Sequence, residues 1–448
     1  MVAVDTKLTG AVRHPGNKTP LARIREHISW IASGKGVGGL LSLIYLGILT
    51  RTLGPTQFGS FSLILSSVLI IQMLPNCNVW QIVVKYGHQH VKAGNHDALG
   101  RLIRLCTMID LGSALASVVI TGLVLVFGRT ALAMDDGLAW VTFGYAVVFL
   151  FSLRNVPRGI LRLTNSFSLI FLGDGVPSLI KFAGALLALA IGPSIATFLL
   201  IWAISEMVGT IVFWWYAYRI YHRHFGPFRS RDWPRAWREN EGLPSLVMAT
   251  NISETAYGAA QQLPILLVGS YAGTAGAGLF RLANQLTAAL AQISGLINLA
   301  GYTEMANIYA EGGVRHVKAV FYRLSLVSAG IASAIVAVVI LLGKPIILLM
   351  SGPAFAGAYP FLLLLGFAAA AQVLGANCEP MLMSAGRSKT LITLRLASGF
   401  ALIGLLLSLL PTMGAIGAAW ARVITESLTL IALAILSYAL IRKSRLSS

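Results

Sequence analysis

Residues 53–61 read LGPTQFGSF and residues 272–280 read AGTAGAGLF. Each stretch joins the end of one long apolar segment to the start of the next. Superposed, Gly54 falls on Gly273, Gly59 on Gly278, Phe61 on Phe280 and Leu63 on Leu282, every pair at the same offset of 219. Two further sets keep nearly this spacing: Arg104-Leu105 with Arg323-Leu324 at 219, and Ile204-Ser205-Glu206 with Ile424-Thr425-Glu426 at 220. A near-constant offset held over so much chain marks a duplicated unit, and in membranes duplication usually means a transporter built of two related halves.

The membrane follows from composition. Of 448 residues, 56% are hydrophobic and 11% charged, and apolar runs of about 20 residues recur, each able to cross a ~30 Å hydrocarbon core as a helix. The net charge of +18 would suggest nucleic acid in a soluble protein. Here Lys and Arg gather in the connections between spans and at both ends, the bias of segments that stay cytoplasmic, so no nucleic-acid partner is expected. Arg219 to Glu241, which interleaves six arginines with Trp233 and Trp237, reads as a cytoplasmic linker with interfacial anchors. Cys77, Cys106 and Cys378 lie within or beside apolar segments without a CxxC pair, so neither a disulfide framework nor a metal site is expected.

Twelve spans with both termini cytoplasmic suit the charge bias throughout. The expected fold is an all-α polytopic membrane protein, its transmembrane helices forming two six-helix lobes related by a pseudo-two-fold along the membrane normal. An even number of spans per half makes the repeats parallel. The expected division is a basic tail (1–27), an N-terminal lobe (28–220), a basic linker (221–242), a C-terminal lobe (243–441) and a short tail (442–448). Span 2 is expected over 58–84, span 4 over 138–156, span 9 over 321–342 and span 10 over 358–383, with Pro75, Pro177 and Pro264 kinking spans 2, 5 and 7.

Ionisable residues inside spans are the functional candidates, because hydrocarbon tolerates them only in wet cavities or pairs. They are Lys35, Asp110, Asp174, Lys181 and Glu206 in the first half and Glu254, Arg281, Arg395, Arg422 and Glu426 in the second. None forms a Ser/His/Asp set, an HExxH or a Gly-rich phosphate loop, so no enzyme is expected. A membrane glycosyltransferase would expose a large outer domain, and a channel would repeat a filter-like segment; neither is present in the sequence. Arg281, about two turns into span 8, stands where the repeat has Ser62, so the duplicated framework does not require its charge. It reads as a fixed cation for an anionic headgroup such as pyrophosphate, with pairing to Glu254 as the alternative. Glu206 and Glu426 are repeat-equivalent and read as structural partners within each half, the alternative being a protonatable coupling group. Asp174 and Lys181, seven residues apart on one helical face, both read as cavity-lining. No cofactor is expected beyond a coupling proton or sodium ion, for which Asp174, Glu254 and Asp110 are candidates.

The sequences LTRTLGPTQFGSFSL, GPAFAGAYPFLLLLGFAAAAQVL and LMSAGRSKTLITLRLASGFALIGLLLSLLPTMGAIGAAWARVITE resemble the polysaccharide-transporter branch (O-antigen and exopolysaccharide flippases) of the multidrug/oligosaccharidyl-lipid/polysaccharide exporter superfamily. The resemblance covers Ile28 to Leu440. It implies a V-shaped pair of lobes around a cationic cavity in the bacterial inner membrane. The implied function is alternating-access flipping of an undecaprenyl-pyrophosphate-linked oligosaccharide, with a polysaccharide polymerase and co-polymerase as partners. Arg281 matches a cavity arginine of the related lipid II flippases, and Lys35 is similar in place to another of their basic residues. The implied substrate-binding set is Arg281 and Lys35, then Lys181 and Arg395. Lipid II flippases have fourteen spans against twelve here. Cation-coupled multidrug exporters of the same superfamily also have twelve and are the nearest alternative.

Overall fold

A computed structural model of the protein describes residues 20–128, 136–227 and 232–446; side chains are described apart from 20–37, 293–320, 441–446 and a few single positions. The chain runs through helices α1 (Pro20–Met73), α2 (Trp80–Lys92), α3 (His96–Gly128), α4 (Asp136–Leu150), α5 (Asn155–Leu163), α6 (Phe167–Ile191), α7 (Ile195–Phe225) and α8 (Ala236–Glu239). There follow α9 (Leu243–Ser351), α10 (Tyr359–Gly375), α11 (Cys378–Ser384), α12 (Ser388–Met413) and α13 (Ala415–Leu446).

Among the described residues, ten helical stretches are long and apolar enough to cross a membrane. Two of them, Gly38–Met73 in α1 and Leu243–Gln292 in α9, are too long for one crossing of a ~30 Å core. Each is divided at a glycine of the repeated motif: Gly54 has φ 69° and Gly273 φ 71°. This left-handed backbone is open to glycine at little cost, and it turns each stretch into an out-and-back pair. Among the described residues this makes twelve stretches of membrane-crossing length. Exposed Leu115, Val119, Phe127, Ile191, Leu349 and Phe400 point outward, as a lipid-facing surface requires.

The duplication extends to irregular features. Crossing four is interrupted between α4 and α5, and crossing ten between α10 and α11; Asn155 opens α5 and Asn377 immediately precedes α11. In each half two long helices then follow, α6–α7 and α12–α13.

Some spans differ from the sequence expectation. Span 2 does not run unbroken to residue 84: α1 stops at Met73 and α2 restarts at Trp80. Pro75 lacks the N–H a helix needs, and Asn78 takes φ 46°. Span 4 stops at Leu150 rather than 156, and α5 carries on to Leu163. The ninth crossing continues through Pro345 to Ser351 instead of ending at 342. Pro177 lies within α6 and Pro264 within the first arm of α9, positions that packed membrane helices tolerate. Helix α7 reaches Phe225, beyond the expected start of the linker. The linker is folded onto the first half, where Arg101 pairs with Glu239 at 2.6 Å, Tyr86 donates to the Glu241 carbonyl at 2.8 Å, and Trp233 and Trp237 pack against the buried cluster that includes Ile82, Leu102 and Tyr221. The tail 1–19 lies outside the described residues.

The halves meet through one continuous core that joins Leu46, Phe58 and Phe61 to Phe280, Leu282 and Phe355. At the Gly54/Gly273 end, Thr50 Oγ1 donates to Ser351 Oγ at 2.9 Å, Arg51 Nε donates to the Met350 carbonyl at 3.1 Å, and Phe58 meets Phe355 edge-on at 5.9 Å. That end is sealed. At the opposite end of α1, Asn251 donates to the Leu74 and Asn76 carbonyls at 2.8 and 2.9 Å, and Thr250 and Thr255 bind the same broken segment.

Candidate functional site

Helix α5 and the residue before it place Arg154, Arg158 and Arg162 at a spacing of four, one above another on a single helical face. Each finds a different partner. Arg154 forms an ion pair with Glu206 of α7. Arg158 pairs with Asp174 of α6 and lies 5.1 Å from the centre of the Phe213 ring. Arg162 stacks over Trp80 at 3.8 Å.

Glu206 also accepts from Lys181 Nζ at 2.9 Å, and the ammonium lies 3.6 Å over the Trp202 ring. Gly209, one turn along from Glu206, leaves room for this arrangement: a Cβ there would sit 2.8 Å from Pro177 Cγ and 3.3 Å from an Arg154 nitrogen. Two cations thus converge on one carboxylate that is 7% exposed. Next to them lies a polar cavity of about 240 Å³ lined by Gln72, Asn76, Asp110, Ser113, Arg154 and Glu206 among others.

The second half uses fewer charges. Glu379 pairs with Arg395 at 2.6 Å and Arg422 with Glu426 at 3.2 Å; Arg422 also donates to the Ala260 carbonyl at 3.3 Å. Glu379 and Arg395 stand at a shared offset of 221 from Arg158 and Asp174, close to that of the repeated motif. They are therefore the same pair with its charges exchanged.

Of the candidates from sequence, Lys181 and Glu206 are brought together, Asp174 meets Arg158, and Arg395 meets Glu379. Glu426 has its own-helix partner. Glu254 accepts from Asn78 across the junction of the halves and does not pair with Arg281. Arg281 is half-buried and has one long contact, 3.5 Å to Gln262 Oε1. The Tyr145 hydroxyl lies near it and is buried without a hydrogen-bond partner among the described residues. Among the described residues no carboxylate reaches Arg281. The side chain of Lys35 lies outside the described residues. Sequence reasoning missed Arg154, Arg158 and Tyr145. The four-residue arginine spacing could have revealed the first two, whereas nothing in the sequence marks Tyr145. Among the described residues no group of three or more His, Cys, Asp or Glu could hold a metal ion.

This arrangement can neutralise an anion at Arg281 and hold a charged network inside one lobe. Residues 24–302 match the family described as polysaccharide biosynthesis protein. The chain is 26% identical over 338 residues to the inner membrane protein YghQ of Escherichia coli (strain K12), covering 75% of this chain and 94% of that one. Among solved structures, it resembles the inward-facing conformation of a multidrug resistance MATE family transporter of the MOP superfamily, with a TM-score of 0.71 and 14% identity over 92% of this chain and 96% of that one. It also resembles the lipid II flippase MurJ in an inward closed conformation, with a TM-score of 0.66 and 14% identity over 90% and 86%. At such identities the structural likeness establishes a shared fold, here the two-lobed fold of MOP-superfamily transporters. The extent of the family match, more than half of the sequence, decides the classification: the chain belongs to the polysaccharide biosynthesis protein family.

Proposed function

We propose that the protein flips an undecaprenyl-pyrophosphate-linked oligosaccharide across the bacterial inner membrane by alternating access of its two lobes. The observation that carries this reading is Arg281. It is a guanidinium at the lobe junction with only a neutral amide at 3.5 Å and a spare phenol, Tyr145, nearby. An unpaired cation at that depth is costly unless an anion visits it, and the planar fork of Arg suits phosphate oxygens. The same charge would repel an organic cation, which disfavours a drug exporter. The match to a polysaccharide biosynthesis family supports a polysaccharide repeat unit over lipid II.

In this reading Arg281 and Lys35 bind the pyrophosphate, with Tyr145 donating a hydrogen bond. Lys181 and Arg395 are held by Glu206 and Glu379 and act as framework. Asp174 and Glu254 are likewise engaged. In this reading the Gly54/Gly273 end is the outer one and the substrate enters from the cytoplasm, its lipid tail remaining in the bilayer. Polymerase and co-polymerase would take the product on the outer face.

The test is the sidedness of the lipid-linked oligosaccharide pool in cells depleted of the protein. Repeat units should accumulate on the cytoplasmic leaflet and be cleared by wild type but not by Arg281→Ala at equal protein level. An unchanged pool with altered sensitivity to cationic drugs would replace this reading with the exporter one.

A further inference from the structure

The geometry points to Asp110 as the seat of a monovalent cation, a proton or a sodium ion, inside the N-terminal lobe. Asp110 is 4% exposed. Its Oδ1 accepts from Asn155 Nδ2 at 3.2 Å and the Val156 backbone N–H faces the carboxylate, while its buried Oδ2 has no hydrogen-bond partner among the described residues. The residue borders the 240 Å³ polar cavity.

Among the described residues no cationic side chain pairs with it. The charged groups facing the cavity from neighbouring helices are already engaged: Arg154 and Lys181 with Glu206, and Arg158 with Asp174. Cys106 on its own helix and Cys77 from the broken segment after α1 are the other titratable groups beside it. A carboxylate this deep without a counter-charge is costly in a membrane protein. A bound cation removes that cost. Oxygen donors for one are at hand in Gln72, Asn76, Ser113 and Ser117.

The duplication separates framework from function at this position. In the second half Asn377 occupies the matching helix break and donates to Ser328 Oγ at 2.7 Å. The two partners, Asp110 and Ser328, stand at an offset of 218, one short of that in the repeated motif. A hydroxyl is therefore sufficient to hold the asparagine at the break. In the first half the carboxylate adds a charge and a second oxygen that this task does not use. The competing arrangement is a permanently ionised Asp110 that caps the first turn of α5.

The flippase reading supplies the purpose, coupling of transport to an ion gradient, but the measurement does not depend on it. Infrared difference spectra would be recorded on the purified full chain in lipid nanodiscs, stepping pH without sodium and then stepping NaCl at fixed pH. The wild type should show one carboxyl group whose stretching bands respond to pH, to sodium or to both, the pattern telling proton from sodium. The response should vanish in Asp110→Ser, which copies the second half's own pair and should therefore fold, and in Asp110→Asn as a second check. Identical responses in wild type and both variants would leave Asp110 as an ionised cap and overturn the assignment. Loss of the flippase reading alone would leave these spectra unchanged.

Discussion

Gly59 and Gly278 face one another across the junction of the lobes, and each occupies the other's place in the duplicated motif. A Cβ on Gly59 would collide with the Thr274 carbonyl and come within 3.1 Å of the Gly278 nitrogen; a Cβ on Gly278 would collide with the Pro55 carbonyl and come within 3.1 Å of the Gly59 nitrogen. Pro55 and Thr274 themselves stand at the motif's own offset of 219. The pseudo-two-fold axis therefore passes through a backbone-to-backbone contact that only glycine permits, the close approach that small residues provide between membrane helices.

Alanine at either position must push backbone rather than a side chain aside. Gly59→Ala and Gly278→Ala should each destabilise by about 3 kcal/mol or more, the upper range of overpacking. Thermal unfolding in detergent would register this as a clear drop in midpoint. Gly330→Ala, where an added Cβ meets nothing within 4 Å, should leave the midpoint unchanged or raise it.

The charge-exchanged pair gives a second expectation. Arg158 with Asp174 and Glu379 with Arg395 occupy equivalent sites, so the framework accepts either polarity. Arg158→Asp places two carboxylates together and should lower the amount of membrane-inserted protein. The double variant Arg158→Asp/Asp174→Arg should restore most of it. With Arg158 and Asp174 side chains 35% and 47% exposed, neutralising one partner should cost only about 1 kcal/mol or less. Failure of the double variant to recover would mean that Arg158 is held for its contact with Phe213 instead.

Hydropathy and the offset of 219 made the crossings and their duplication legible in the sequence, because lipid forces long apolar helices and a copied unit copies its glycine turns. The breaks were less legible. Pro75 was expected to kink a helix and instead ends it. The Leu150–Asn155 interruption is held by Asp110, 45 residues away, a contact that no local pattern encodes. For the site, the charged residues could be picked out but not paired. Glu206 and Arg154 are 52 positions apart, and only the packing of α5 on α7 brings them together. The exchanged pair was visible in principle as Arg/Asp and Glu/Arg at a shared spacing of sixteen.

Glu206 and Glu426 are repeat-equivalent yet should not behave alike. Glu206→Ala strands Arg154 and Lys181, both largely buried, and breaking a buried pair in this way costs about 3–5 kcal/mol; little folded protein should be recovered. Glu206→Gln/Lys181→Met removes one stranded charge with its partner and should recover more than Glu206→Gln alone. Glu426→Ala should be milder, because Arg422 keeps its bond to the Ala260 carbonyl. Fluorescence-detected size exclusion would rank the variants, and equal losses at Glu206 and Glu426 would contradict the triad's role.

The seal at the Gly54/Gly273 end can be locked. Thr50 Oγ1 and Ser351 Oγ lie 2.9 Å apart, so sulfurs placed there fall within reach of a disulfide. Cys77, Cys106 and Cys378 are free thiols and would first be replaced. Oxidised Thr50→Cys/Ser351→Cys should fold normally but export no polymer, with export returning on reduction, since the proposed alternating access requires this end to part. Either single cysteine should export under both conditions. Undiminished export by the fully cross-linked protein would show that the lobes need not separate here, and would place the outward exit between other helices.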